Sequence, residues 1–171
     1  MANLAATESF PYPQLDCDDT NKPLEIAQYL ESRGVPYVFG GKWPADGDLD
    51  AVEGIDCSGE VSLAIFHMTG ETVNLMADNS QMDGAWFDGQ GYKRSTPIDA
   101  DNQTGVLYAF VLPSSQSSDG IGHVGTMRNS ATAESYGHHG PGSRPWGPMA
   151  NGVPNPAWAW QQHCLVWVLH L

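Results

Sequence analysis

The stretch "EGIDCSGEVSLAIF" (Glu53–Phe66) predicts the start of a helix and places a cysteine at that start. Its apolar residues, with the methionine that follows, would share one helix face: Val61, Ala64, Ile65 and Met68. Gly70 is a typical helix stop, so the predicted helix spans residues 58–70. The chain has only 3 Cys among 171 residues, which makes the position of Cys57 informative about function.

A cysteine at a helix start has a specific chemical property. Backbone N–H groups there have no partner within the helix and the helix dipole is positive, so a thiolate is stabilised and the pKa of the thiol falls. Cys57 therefore suits a nucleophile. The alternative is an inert, buried cysteine that acts as a small apolar residue. Its position alone leaves both interpretations open.

The sequence around this helix predicts an α+β domain. A helix is expected over "KPLEIAQYLESRG" (22–34), with Leu24, Ala27 and Leu30 on one face, and a shorter helix over "NSQMDGAWF" (79–87), capped by Asp78 or Asn79. After Gly91 the apolar runs are short and separated by turn residues. The predicted strands lie in residues 105–113, 122–129, 131–137 and 163–171.

Helices followed by strands predict helices packed on one antiparallel sheet. Residues 1–21 are expected to form an irregular arm, and residues 22–171 a single domain. The N-terminus has neither a basic start nor an apolar core, so it does not read as a secretory signal, and we expect synthesis in the cytoplasm. No apolar run approaches the roughly 20 residues of a membrane span.

The charge balance excludes one class of partner. The chain has 7 Lys and Arg against 20 Asp and Glu, a formal net charge of −13, which repels nucleic acid. Asp46, Asp48 and Asp50 alternate as in a calcium loop, but the glycine and the final glutamate of such a loop are missing. We therefore expect a solvated acidic loop and no metal. A disulfide between Cys17 and Cys164 is not expected.

A nucleophilic thiol needs a general base, and His123 is the best candidate. It lies in "GIGHVGTM", at a predicted strand start between glycines that allow close approach of another segment. The alternative is an ordinary exposed histidine. The other histidines suit surface, strand-flanking or loop positions: His67, His138, His139, His163 and His170.

Four segments together resemble the NlpC family of cell-wall cysteine peptidases. They are "GVPYVFGG" (34–41), "DCSG" (56–59), "GHVGTM" (122–127) and "ATAESYG" (131–137), in the family's order and element context. The resemblance covers about residues 22–137 and implies a papain-like fold. It implies Cys57 as nucleophile, His123 as general base and Glu134 as the residue that orients the imidazole. His138 or His139 is the alternative third member.

The resemblance also implies binding roles. Tyr37 matches a tyrosine whose hydroxyl helps to stabilise the oxyanion, and Asp56 and Ser58 match positions that meet the free amine of a stem peptide. Ser58 also suits a helix N-cap. Arg144 and Trp146, in the loop "GHHGPGSRPWG" (137–147), are candidate substrate contacts, with simple packing as the alternative.

One departure from the family pattern falls inside the helix. Glu60 occupies a position that is usually apolar or aromatic in the family. A carboxylate in the first turn suits the helix dipole, and it would also reshape a substrate groove.

The implied function is a peptidoglycan hydrolase that needs no cofactor. It would cleave a stem-peptide amide, with the bond from D-glutamate to the diamino acid as first choice. The alternatives are an N-acetylmuramoyl-L-alanine amidase or an acyltransferase on the same fold, and a catalytically silent wall-binding module. Without a signal, access to the wall would come through a holin-type phage release or a secretion machine.

Overall fold

The structure, a computed structural model, describes residues 11–17, 19–73, 75, 80–95, 106–116, 122–128, 134–136 and 164–171. In these ranges the helices come first: α1 (Lys22–Arg33), α2 (Cys57–Thr69) and α3 (Ser80–Gly89). The strands follow: β1 (Arg94–Ser95), β2 (Leu107–Leu112), β3 (His123–Arg128), β4 (Glu134–Tyr136) and β5 (Leu165–His170). All three predicted helices and all four predicted strands are confirmed. The two-residue strand β1 was not predicted.

The strands form one five-stranded sheet in the order β1-β5-β2-β3-β4. Every pair of neighbours is antiparallel, which confirms the predicted α+β class. No helix in the described part of the chain is both long and apolar enough to cross a bilayer.

Both faces of the sheet are apolar. One face packs against helices α2 and α3, and we call its core the helix-side cluster: Leu15, Cys17, Cys57, Val61, Ile65, Leu75, Phe87, Leu107, Ala109, Val111, Val124, Trp167 and Leu169. The opposite face carries the far-side cluster: Val106, Tyr108, Phe110, Cys164, Val166 and Val168. Because successive residues of a strand point to opposite faces, β2 alternates between the two clusters, which explains its continuous apolar sequence.

Helix α2 is the central helix of the domain. Every residue from Cys57 to Ile65 is buried, since the sheet covers one side of the helix and α1 covers another. The predicted apolar face is confirmed, and Leu63 extends it toward α1. This burial fixes the start of α2 inside the protein.

Helix α1 ends where the sequence predicts. Gly34 adopts φ 69°, a left-handed conformation that glycine tolerates, and its N–H bonds to carbonyls of the last turn. The expected apolar face was partly wrong: Ile26, with Ala27 and Leu30, is buried, whereas Leu24 is only half-buried. The 3.6-residue period explains the difference, because Ile26 lies one turn before Leu30 on the side facing α2.

The described part of the N-terminal arm contains no helix or strand. Leu15 is nevertheless buried in the helix-side cluster, and its N–H donates to Leu169 O at 2.8 Å. The His170 Nδ1 atom lies 2.9 Å from Leu15 O. Residues 11–17 thus pack against β5 as part of the domain.

Asp88 joins α3 to two strands. Its carboxylate accepts hydrogen bonds from Arg94 Nε at 2.9 Å and from Trp167 Nε1 at 2.9 Å. These donors lower the pKa of Asp88 from 3.8 to about 2, and the hydrogen bond from Arg94 has the larger effect. The Arg94 guanidinium also lies 4.8 Å from the centre of the Trp167 ring.

We expect Asp88→Asn to destabilise the fold by about 1 kcal/mol at neutral pH, a value discounted because 43% of the Asp88 side chain is exposed. A lowered folded-state pKa stabilises the protein above the unfolded-state pKa, and this contribution disappears as pH falls through the folded-state pKa. The difference in free energy of unfolding between wild type and variant should therefore stay constant above about pH 4 and shrink toward pH 2. Urea denaturation at several pH values measures it, with Glu71→Gln as the control at an exposed site. A difference that does not change with pH would contradict the assignment.

Candidate active site

Cys57 is the first residue of α2, as predicted. Asp56 is the N-cap: its backbone is extended (φ −104°, ψ −177°) and its Oδ1 accepts from the Gly59 N–H at 2.7 Å. The prediction that Ser58 caps the helix was wrong, because the Ser58 hydroxyl donates to Asp56 Oδ1 at 3.0 Å instead. The sequence offered two adjacent residues of capping type, and the preceding one has the extended backbone that a cap requires.

The Asp56 carboxylate also fixes the neighbouring turn. Its Oδ2 accepts from the Gly40 N–H at 2.8 Å, so this one side chain joins the turn to the helix start. Asp56 is 0% exposed and Ser58 is 1% exposed. A substrate amine would have to displace the turn at Gly40 to reach either side chain. Their predicted contact with substrate stays a prediction, whereas the structure gives Asp56 a positioning role.

The segment that contains Tyr37 runs beside the residues before Cys57. Tyr37 forms a parallel bridge with Ile55, the Val38 N–H donates to Ile55 O at 3.1 Å, and the Ile55 N–H donates to Pro36 O at 3.2 Å. Tyr37 is half-buried. The backbone thus brings Tyr37 near the start of α2, as the resemblance implies, and the role of its hydroxyl at the oxyanion stays a prediction.

Glycines allow the turn at Gly40 and Gly41 to lie close to the start of α2. A Cβ on Gly59 would lie 2.7 Å from Ile55 Cγ1 and 3.0 Å from Gly41 O. A Cβ on Gly41 would lie 2.6 Å from Gly54 O. Real Cβ atoms do not approach backbone oxygen so closely, so larger residues would push the turn away from the start of α2.

We expect Asp56→Ala to destabilise the protein by about 3 kcal/mol, because it removes the helix cap and leaves the buried donors at Ser58 and Gly59 without their acceptor. Urea denaturation measures the change. Asp46→Ala is the matched control: Asp46 is exposed and accepts a single backbone N–H, from Asp48 at 3.2 Å. Equal losses in the two variants would contradict the positioning role.

His123 is the first residue of β3, which confirms its predicted strand start. The side chain is half-buried and its Nε2 atom is buried. The His123 ring centroid lies 5.9 Å from that of Phe110, in the far-side cluster. His123 is in register with Leu112 on β2.

Cys57 and His123 begin two elements that pack on each other. Helix α2 packs on β3. Val124 is in register with Val111 and belongs to the helix-side cluster, together with Cys57. His123 precedes Val124, and its ring contacts that of Phe110. The pairing of the Cys57 sulfur with the His123 imidazole stays a prediction.

Glu134 lies in β4, as predicted. It is in register with Arg128, while Ser135 is in register with Met127. The role of Glu134 in orienting the imidazole stays a prediction. The remaining predicted residues fall outside the described ranges: His138, His139, Arg144, Trp146 and His163.

No protein-family model matches the chain, and no curated protein matches it. The resemblance to the NlpC family thus depends on the motifs quoted above.

The two other cysteines lie in different core clusters. All three cysteines are buried; Cys17 belongs to the helix-side cluster and Cys164 to the far-side cluster. Burial raises the pKa of the Cys164 thiol to about 12. Cys164 should therefore be inert toward electrophiles near neutral pH.

Glu60 and the acidic loop that contains Asp46 and Asp48 differ in their exposure to solvent. Glu60 is buried at 3% exposed. Asp46 and Asp48 are exposed, and their carboxylates accept backbone N–H groups of their own loop. Among the described residues no group of three or more His, Cys, Asp or Glu side chains is arranged to hold a metal ion.

An open pocket of about 500 Å³, which the sequence did not predict, lies beside the segment that leads into α2. It is lined by Val38, Lys42, Trp43, Pro44, Ala51, Glu53 and Gly54. The signal in the sequence was an aromatic and a basic residue directly after the "FGG" turn. The pocket could not be predicted because residues 51–54, which form its facing wall, show neither a periodic pattern nor a motif.

Proposed function

We propose that the protein is a papain-like, NlpC-type cysteine hydrolase that cleaves an amide bond in the stem peptide of peptidoglycan. One observation carries the proposal: Cys57 opens a buried, Asp56-capped helix, and this helix lies across the strand that begins with His123. A thiol at a helix start near a histidine-bearing strand is the arrangement that thiol nucleophiles use.

In the proposed reaction the Cys57 thiolate attacks the carbonyl carbon of the amide. The oxyanion is stabilised by the Cys57 N–H at the helix start and by the Tyr37 hydroxyl. His123 gives a proton to the leaving amine, which departs and leaves a thioester on Cys57. Water, deprotonated by His123, then hydrolyses the thioester and restores the thiol. Atoms and protons balance over the two steps, and no cofactor takes part in them.

The proposal requires the imidazole to reach the sulfur from its contact with Phe110. His123 is the first residue of β3, and Gly122 before it has φ 86°, a conformation that favours glycine. In the proposal, rotation of the His123 side chain at this end of the strand takes the ring from Phe110 to the sulfur.

The bond from D-glutamate to the diamino acid is the first choice, and products distinguish it from the alternatives. Purified peptidoglycan is digested and the new termini are identified by mass spectrometry. The proposal expects a new amine on the diamino acid. A new amine on L-alanine would indicate an amidase, and transfer of the acyl group to an added amine would indicate an acyltransferase.

The contact of the His123 ring with Phe110 favours one other candidate, a catalytically silent wall-binding module. This candidate expects wall binding with no new termini at any pH. The net charge of −13 argues against nucleic acid as the partner in either case. Delivery to the wall by phage release or by a secretion machine completes the proposal.

A further inference from the structure

The open pocket lies beside the segment that leads into α2. Gly54 and Glu53 form part of its wall, and they lie two and three residues before Asp56. Val38, on the facing wall, is bonded through its N–H to Ile55 O. The volume of about 500 Å³ is in the range of pockets that hold small ligands.

Lys42 is the unusual residue of this pocket. In the described part of the chain, Lys22, Arg33 and Arg94 pair with carboxylates, and Lys93 lies 5.4 Å from the Tyr12 ring centre. The exposed Lys42 side chain has no hydrogen bond or ion pair among the same residues. In a chain with 20 acidic and 7 basic residues, an unpaired base at a pocket favours a carboxylate on the ligand.

Glu53 gives the pocket the opposite charge. It is exposed, and within the described ranges its side chain makes no hydrogen bond or ion pair. Asp56, for which the family resemblance implies contact with a substrate amine, is buried and accepts hydrogen bonds from Gly40, Ser58 and Gly59. Glu53 is therefore the nearby carboxylate that a soluble amine can reach.

The wall between these charges is rigid and apolar. Trp43 is half-buried, its Nε1–H donates to Ser62 Oγ at 2.9 Å, and its ring centroid lies 5.0 Å from that of Phe66. Val38 is 45% exposed on the facing wall. A fixed aromatic surface costs little conformational entropy when a ligand packs against it.

We propose that this pocket binds the zwitterionic part of a short peptide, with a ligand carboxylate at Lys42, a ligand ammonium at Glu53 and an aliphatic portion against Val38 and Trp43. Under the proposed function, on which this identification of the ligand rests, the peptide is the stem peptide. The pocket then holds it beside the start of α2.

The test measures binding and not cleavage. The probe is the tripeptide L-alanyl-γ-D-glutamyl-diaminopimelic acid, titrated by calorimetry into Cys57→Ala protein, in three forms: free, acetylated at both free amines, and amidated at all carboxyl groups. Glu53→Gln should weaken the free peptide about fivefold, the effect of an exposed ion pair, and leave the acetylated form unchanged. Lys42→Gln should weaken the free peptide by a similar factor and leave the amidated form unchanged.

Glu71→Gln and Lys93→Gln are the matched controls, because they make the same charge changes at exposed sites outside the pocket. Losses equal to those of the controls, or equal losses for blocked and free peptides, would overturn the pocket assignment while leaving cleavage by the wild type intact. Charge-specific binding by a wild type that releases no termini would support the pocket and overturn the hydrolase.

Discussion

Replacing Cys57 by alanine should lower the release of new termini from purified peptidoglycan by at least about a thousandfold, to the level of buffer alone. Alanine removes the nucleophile and nearly preserves the volume at a site that is only 8% exposed, so the fold should survive. Mass spectrometry of the digest measures the loss, and urea denaturation of the same preparation shows that the variant is folded.

Cys17→Ala and Cys164→Ala are matched controls for this loss. Both cysteines are as buried as Cys57, at 9% and 7% exposed, but neither begins a helix. Each control should cost about 1 kcal/mol of stability and keep most of the activity. Cleavage that survives in Cys57→Ala, or that disappears in a folded control variant, would contradict the nucleophile assignment.

His123→Ala should have the second largest effect, a loss of cleavage of about a thousandfold. Without the imidazole, the leaving amine receives no proton and the thiol loses the base that maintains its thiolate. The digestion assay measures the rate, and the stability of the variant is measured in parallel because the His123 ring also packs against Phe110.

His67 and His170 supply the controls for His123. The His67 Nε2 atom lies 2.8 Å from Gly47 O, and the His170 Nδ1 atom lies 2.9 Å from Leu15 O. Their alanine variants should keep most of the activity at a moderate cost in stability. A folded His123→Ala protein that cleaves at the wild-type rate would remove the general base from the account and favour the silent binding module.

The elements of the fold were predictable because their signals are local. Gly34 and Gly70 end α1 and α2 in left-handed conformations, as glycine at a helix end indicates. The strands appear as short apolar runs between turn residues. Strand β1 escaped prediction because two residues carry no period, and it exists only through pairing with β5.

The candidate site was less predictable because it depends on long-range pairing. A one-residue difference in position along β3 decides which face a side chain occupies, and this separates His123 from Val124. The position of Glu134 likewise depends on strand pairing, which puts it in register with Arg128. That Asp56 and not Ser58 caps α2 likewise depends on the backbone of the preceding segment, which no sequence pattern encodes.

The central claim is that the Cys57 thiol is activated by His123, and the pH dependence of alkylation tests it most directly. Wild type and His123→Ala are treated with iodoacetamide, and each cysteine is followed by mass spectrometry. The account predicts that Cys57 reacts fastest, with an apparent pKa below about 8.5 that rises in His123→Ala, while Cys164, whose pKa is about 12, stays unmodified. A Cys57 that reacts no faster than Cys17 or Cys164, with a profile that His123→Ala leaves unchanged, would contradict it.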